Sequence, residues 1–264
     1  MLPFFRKIRW RLAANNQFFK YSRYAIGEIV LVVIGILIAL QINNWNENRK
    51  SKLILKSHLE TLKSDLESDI KNLELLMNNA SFRYHSMHVI LKRAGFKENN
   101  VAFYNIPKFK GDFFGYKSIP DEIDSTFLQF AFTAVGYISH FDATMNGLDQ
   151  LKNSGLLSFI DDKNIIEEID DYYIRHERFL GKKEWQSLIY YKQYWITLLT
   201  ENGFSPDAGL VINDVMKWLQ KDPEAVAALR NLVTNAEFIY ANSILQIEIG
   251  NNLIENIGKT IENL

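Results

Sequence analysis

The run Ala25-Ile-Gly-Glu-Ile-Val-Leu-Val-Val-Ile-Gly-Ile-Leu-Ile-Ala-Leu-Gln-Ile42 constrains this chain more than any other feature. As a helix it reaches about 27 Å, close to the thickness of the hydrocarbon layer of a bilayer. An unbroken apolar run of this kind is a poor fit to a core helix of a soluble domain. Tyr21 and Tyr24 stand at one end and Trp45 at the other, where aromatic rings favour the membrane interface. Ala39-Leu40-Gln41 lacks the paired small residues of a cleavage site. The expectation is therefore an uncleaved signal anchor.

Charge gives the orientation. Arg6, Lys7, Arg9, Arg11, Lys20 and Arg23 make residues 1–27 a +6 segment without an acid; taken from a total of -1, this leaves -7 for 28–264. Four bases follow the span closely, Arg49, Lys50, Lys52 and Lys56. Six against four predicts a cytoplasmic N-terminus and a body on the far side, the periplasm in a bacterium with two membranes. The acidic body argues against nucleic acid as a partner. The basic end suits an anionic bilayer surface, either as a tail that sets topology or as a short interfacial helix with Phe5, Ile8 and Leu12 on one face. The chain has no cysteine, so disulfides, thiolate metal sites and cysteine nucleophiles are excluded.

The segments Phe4–Arg9 and Tyr24–Glu47 resemble a bacterial family of uncharacterised single-pass membrane proteins. A weaker likeness continues through Leu148–Tyr173, in Leu151-Lys-Asn-Ser-Gly-Leu-Leu and Asp171-Tyr-Tyr. The resemblance implies a membrane-anchored helical protein of an outer-membrane-bearing bacterium. It implies no reaction. Residues 96–141 and 180–264 carry no such likeness.

Beyond the anchor the pattern stays helical. Leu55, Leu59, Leu62, Leu66, Ile70, Leu73, Met77 and Ala80 recur at spacings of three and four, and neither Gly nor Pro interrupts 43–94. This predicts a helix of about 50 residues, its seam facing either a second chain as a coiled coil or the inside of a bundle. Gly95 closes it. Residues 96–120 read as an aromatic-rich loop, with a strand-like piece near Ala102–Ile106 and rings that cap the bundle. Pro120-Asp-Glu-Ile should open the next helix, with Ile123, Phe127, Phe130 and Ala134 buried. Further helices are expected over 142–153, from Asp161 or Asp162 to Thr200 with a bend at Gly181, and over 208–220. Asp222-Pro223 starts the last, about 40 residues long, whose seam runs through Val226, Leu229, Val233, Ala236, Tyr240, Ile244, Ile247, Ile254, Ile257 and Ile261.

Few residues suggest chemistry. Glu28 lies one turn into the apolar run, and Gly35, Ala39 and Asn46 fall within about 20° of it on the helix. Three readings stay open: a carboxylate reaching to the interface, a close helix–helix contact through Glu28, Gly35 and Ala39, and an ion- or proton-coupled group. His85 and His88 have helical metal spacing but no third ligand beside them. The acid-rich stretch Glu167–Glu177 lacks the Glu-x-x-His pairing of carboxylate-bridged metals and reads as a solvated face. Ser154 lies in a helix stop, and no phosphate loop or dinucleotide fingerprint is present. The aromatic stretch Trp185–Trp195 reads as a buried core helix, with a ligand cleft as the alternative.

The expectation is thus an all-α chain: a basic segment 1–24, a transmembrane helix 25–42, and a body 43–264 built as an elongated bundle of long antiparallel helices with an aromatic-rich loop. Its expected role is a non-enzymatic envelope scaffold or adaptor in a bacterial inner membrane, without a cofactor or metal, whose partners are the bilayer and a membrane or periplasmic protein or itself. A sensory or ligand-binding domain acting through another chain, or an ion-coupled accessory subunit using Glu28, are the alternatives.

Overall fold

The computed structural model describes residues 18–97 and 104–264, apart from the side chains of 18–21, 183–185 and 187. The basic residues up to position 17 and the first part of the expected strand-like piece, 102–103, lie outside the described residues. Seven α-helices and a 3-10 turn at Leu156–Phe159 make up the described fold: α1 (Phe18–Arg93), α2 (Ser125–Val135), α3 (Asn146–Ser154), α4 (Asn164–Phe179), α5 (Lys182–Glu201), α6 (Ile212–Lys221) and α7 (Pro223–Glu262). Strands are absent among the described residues, and residues 104–106 form none. The protein is all-α.

The chain divides into two units at Leu55/Lys56. In the first, the apolar side chains of α1 from Ile29 to Ile42 are exposed, and none of the membrane-length apolar stretch is buried within the chain. By length and composition it is a candidate membrane span.

The second unit is a helical bundle. On α1 its buried face runs Leu59, Leu62, Leu66, Asp69, Leu73, Leu76, Ala80, alternating steps of three and four. The seam therefore closes inside the chain. It departs from the expected line at two places: Ile70 and Met77 are only partly buried, while Asp69 and Leu76 are inside. α7 runs antiparallel to this part of α1. Gly250 packs on Ile70, Ile239 and Tyr240 join Leu73, Leu76 and Ala80, and Ala225 to Ala236 join Phe82 to Ala94. α4 is antiparallel to α7 as well, through Glu168–Asn256, Tyr172–Gln246 and Arg175–Asn242.

Local chemistry sets the ends of these helices. Asp222 caps α7 by accepting the N–H groups of Glu224 and Ala225, with Pro223 at the first helical position. α2 begins at Ser125 and not at Pro120, because the carboxylate of Asp124 caps it at the N–H of Phe127, 2.7 Å away. The expected bend at Gly181 is a full break, with extended backbone between α4 and α5; a Cβ there would lie 2.7 Å from the Glu177 carbonyl. Ser154 ends α3 as expected: its hydroxyl donates to Leu151 and accepts from Leu156, and Gly155 follows at φ 69°.

The aromatic loop does cap the core. Phe109 and Phe113 are buried against Phe82, the Phe113 ring stacked on it at 4.4 Å. The expectation of a wholly buried aromatic helix at 185–195 fails: Trp195 is inside, but Tyr190 is 66% exposed. α5 simply buries one face, as a helix on a bundle surface does. The expected α7 seam also strays, since Ile244 is exposed and Ser243, Gln246 and Gly250 take the inward positions.

Candidate functional site

Gln246, one of those inward positions on α7, and Asp69 of α1 both bond Tyr172 in a buried layer that the hydrophobic periodicity does not announce. Asp69 is fully buried. Its Oδ1 accepts the Thr144 hydroxyl at 2.7 Å, and both its oxygens accept the Thr144 N–H, at 3.1 and 3.2 Å. The Tyr172 hydroxyl donates to Oδ2 at 3.4 Å. Desolvation pushes the Asp69 pKa above the ordinary carboxylate range, opposed by the bonds from Thr144 and Tyr172.

One turn earlier, Asp65 accepts the N–H of Gly147 at 2.7 Å. Gly147 is in the first turn of α3, whose cap residue Met145 supplies no side-chain bond. Carboxylates of α1 thus do the capping that the local sequence of α3 leaves undone. This explains why α3 starts at Asn146 and not near Asp142. Gly147 is needed there for room: a Cβ would stand 2.4 Å from the N and Cα of Leu62.

His176 completes the layer from α4. Its Nε2 accepts the Ala143 N–H at 3.2 Å, which puts the proton of the neutral ring on Nδ1. Burial lowers its pKa, against smaller upward contributions from Glu177 and Asp142. The Tyr173 hydroxyl donates to the Thr144 carbonyl at 3.0 Å, and Gln246 donates to the Tyr172 carbonyl at 2.9 Å. Side chains from α1, α4, α7 and the loop before α3 therefore fasten residues 143–147 and α7 to α1 and α4. In this arrangement Asp65, Asp69, Thr144, Tyr172, Tyr173, His176 and Gln246 each grip backbone or a neighbour. Arg83 does likewise at another level, donating to the Val135 carbonyl at 3.3 Å; burial brings its pKa down to about 10, which leaves it charged at neutral pH.

The residues singled out from sequence lie elsewhere. Glu28, Gly35 and Ala39 all stand on the helical stretch of α1 in the first unit, Glu28 partly buried and the other two exposed. A Cβ on Gly35 would meet nothing within 4 Å, so this face is open to close approach. His85 bonds the Pro107 carbonyl through its Nε2 at 2.8 Å, and His88 packs against the Tyr84 ring. Among the described residues no group of three or more His, Asp or Glu is placed to hold a metal. In the acid-rich stretch Glu168 bonds Asn256, Asp170 pairs with Lys152, and Glu167, Asp171 and Glu177 are exposed. It is a solvated face with two fastenings.

Comparison with known proteins adds one likeness. A family of unknown function (DUF6090) matches residues 28–88, which include Glu28, Gly35 and Ala39 as well as Asp65, Asp69 and Arg83. The resemblances noted at Phe4–Arg9 and Leu148–Tyr173 fall outside that span. Neither a curated protein nor a solved structure matches the chain.

Proposed function

We propose that this chain is a membrane-anchored, non-enzymatic scaffold or adaptor of a bacterial cell envelope. In this reading the stretch 25–42 crosses the inner membrane, the basic N-terminal segment stays in the cytoplasm, and the bundle stands in the periplasm. The observation that carries the reading is the apolar stretch of α1, entirely unburied, on a chain whose second unit closes its own core. The orientation rests on the six bases before the span and the four after it. The use of Asp65, Asp69, Thr144, Tyr172, His176 and Gln246 as structural fastenings supports a binding role over a chemical one.

Cross-linking in intact membranes, followed by purification of the full chain in mild detergent, tests this. An adaptor yields a companion protein, or a second copy, in fixed proportion. Recovery of the chain alone as a monomer would contradict it.

A further inference from the structure

Residues 112–117 form a tight two-residue turn. Phe113 and Tyr116 exchange both backbone hydrogen bonds at 3.0 Å, and between them Phe114 and Gly115 have φ of 49° and 90°. Such a turn is built for Asn-Gly or Asp-Gly, because both central residues are left-handed. Phe114 is the one non-glycine residue with positive φ among those described. A phenylalanine in that conformation is disfavoured by its own backbone. Nor does burial offset the strain, since Phe114 is 66% exposed.

The turn is nevertheless held by its side chains. Asp112 accepts the Gly115 N–H at 2.9 Å and pairs with Lys117. The Phe114 ring stands perpendicular to that of Tyr137, centroids 5.0 Å apart, with Phe113 edge-on at the same distance. Tyr137 is itself 41% exposed. The two touching rings thus form one solvent-facing aromatic patch. Preorganised aromatic groups of this kind are what dominate protein interfaces.

Charge indicates what the patch receives. Lys108 and Lys110 lead into the turn and are exposed, and Lys192 lies over Gly136, next to Tyr137. None of the three pairs with a carboxylate among the described residues, and the acid of the turn, Asp112, is already engaged. We propose that Phe114 and Tyr137 form a docking site for an acidic segment of a partner protein, one of whose bulky apolar side chains packs on the exposed surface of the two rings. This rests on the adaptor reading and names the surface and the chemistry that it would use. The strain at Phe114 is then the cost of presenting a ring where the turn alone would select Asn.

Photo-cross-linking from position 114 tests it. The full chain, carrying p-benzoylphenylalanine in place of Phe114, is expressed in its source cells, irradiated, and the linked peptide is sequenced by mass spectrometry. The expected product is one discrete adduct whose linked peptide belongs to another protein and carries several Asp or Glu beside an apolar residue. Lys110→Glu should reduce its yield at least fivefold. The same photo-probe at Val211, also 66% exposed, should give none of it. An adduct to lipid, to a second copy of this chain or to a basic peptide would overturn the proposal. So would an identical adduct from Val211. Absence of any adduct, with the chain still in the membrane fraction, would overturn the docking site and leave the anchored bundle standing. Phe114→Asn separates this from a structural role: its melting temperature should equal or exceed that of the parent, and a clear fall would show the ring to be part of the core and sink the proposal.

Discussion

The carboxylate of Asp65 accepts the backbone N–H of Gly147 at 2.7 Å, joining positions 82 residues apart in the chain. It caps one helix from the flank of another, and it works because Gly147 has no side chain to hold the two backbones apart. Gly147→Ala would place a methyl 2.4 Å from the backbone of Leu62, which cannot swing aside. The loss should reach about 3 kcal/mol. Asp65→Ala leaves the N–H without its partner and should cost about 1 kcal/mol. Thermal unfolding of the full chain in detergent, followed by circular dichroism, checks both; a Gly147→Ala chain as stable as the parent would refute the packing.

His176 gives the bundle an acid-sensitive point. Its folded pKa is depressed by burial, so the folded state binds its proton less readily than the unfolded chain. The stability that it contributes is present above the ordinary histidine pKa of about 6.5 and is lost as pH falls below it. Protonating Nε2 also breaks the bond from Ala143. Unfolding curves taken between about pH 7 and pH 5 should therefore show a larger loss in the parent than in His176→Gln. Equal losses would mean that the ring is not the titrating group. Asp69 has the opposite sign: its raised pKa makes its contribution fall as pH rises above the ordinary carboxylate range.

Substitutions on α7 distinguish the observed seam from the one that the isoleucines suggest. Ile244 is 39% exposed, so Ile244→Asp should change stability by about 0.5 kcal/mol or less. Leu253 is 1% exposed, and Leu253→Asp should cost several times that, since it would bury an unpaired charge. Similar effects at the two positions, read by chemical denaturation, would contradict the helix phase described.

These two helices also show where a sequence is readable and where it is not. The unburied apolar helix over 25–42, a candidate membrane span, the Asp222-Pro223 start of α7 and the Ser154-Gly155 stop are local signals, and each of these helical features is seen where expected. The seam of α1 is legible except where Asp69 and Leu76 take the inward places of Ile70 and Met77; at the first, the adjacent Ile70 is the more hydrophobic choice and only the neighbours Thr144 and Tyr172 make a buried acid tolerable. On α7 the inward Gln246 and Gly250 face Tyr172, a residue over 70 positions away. Periodicity in one helix carries no record of such a partner. Phe114 is equally silent, because a left-handed phenylalanine contradicts the propensity from which turns are read.

In the apolar stretch, Gly35→Leu should weaken association of the full chain in lipid if Glu28, Gly35 and Ala39 line a contact between helices. Val33→Leu, about 160° from Gly35 around the helix, should do little. Association measured by energy transfer between labelled copies in bilayers checks this. Equal transfer for the parent and Gly35→Leu would remove the contact and leave Glu28 as an interfacial charge.

The central claim is that one helix anchors a bundle on the far side of the membrane from the basic segment. It is tested most directly by a reporter that is active only outside the cytoplasm, fused after Leu264 and assayed in membranes washed with alkaline carbonate. The account predicts activity retained in the washed membranes. Activity released by the wash, or absent while a cytoplasmic reporter at the same position is active, would contradict it.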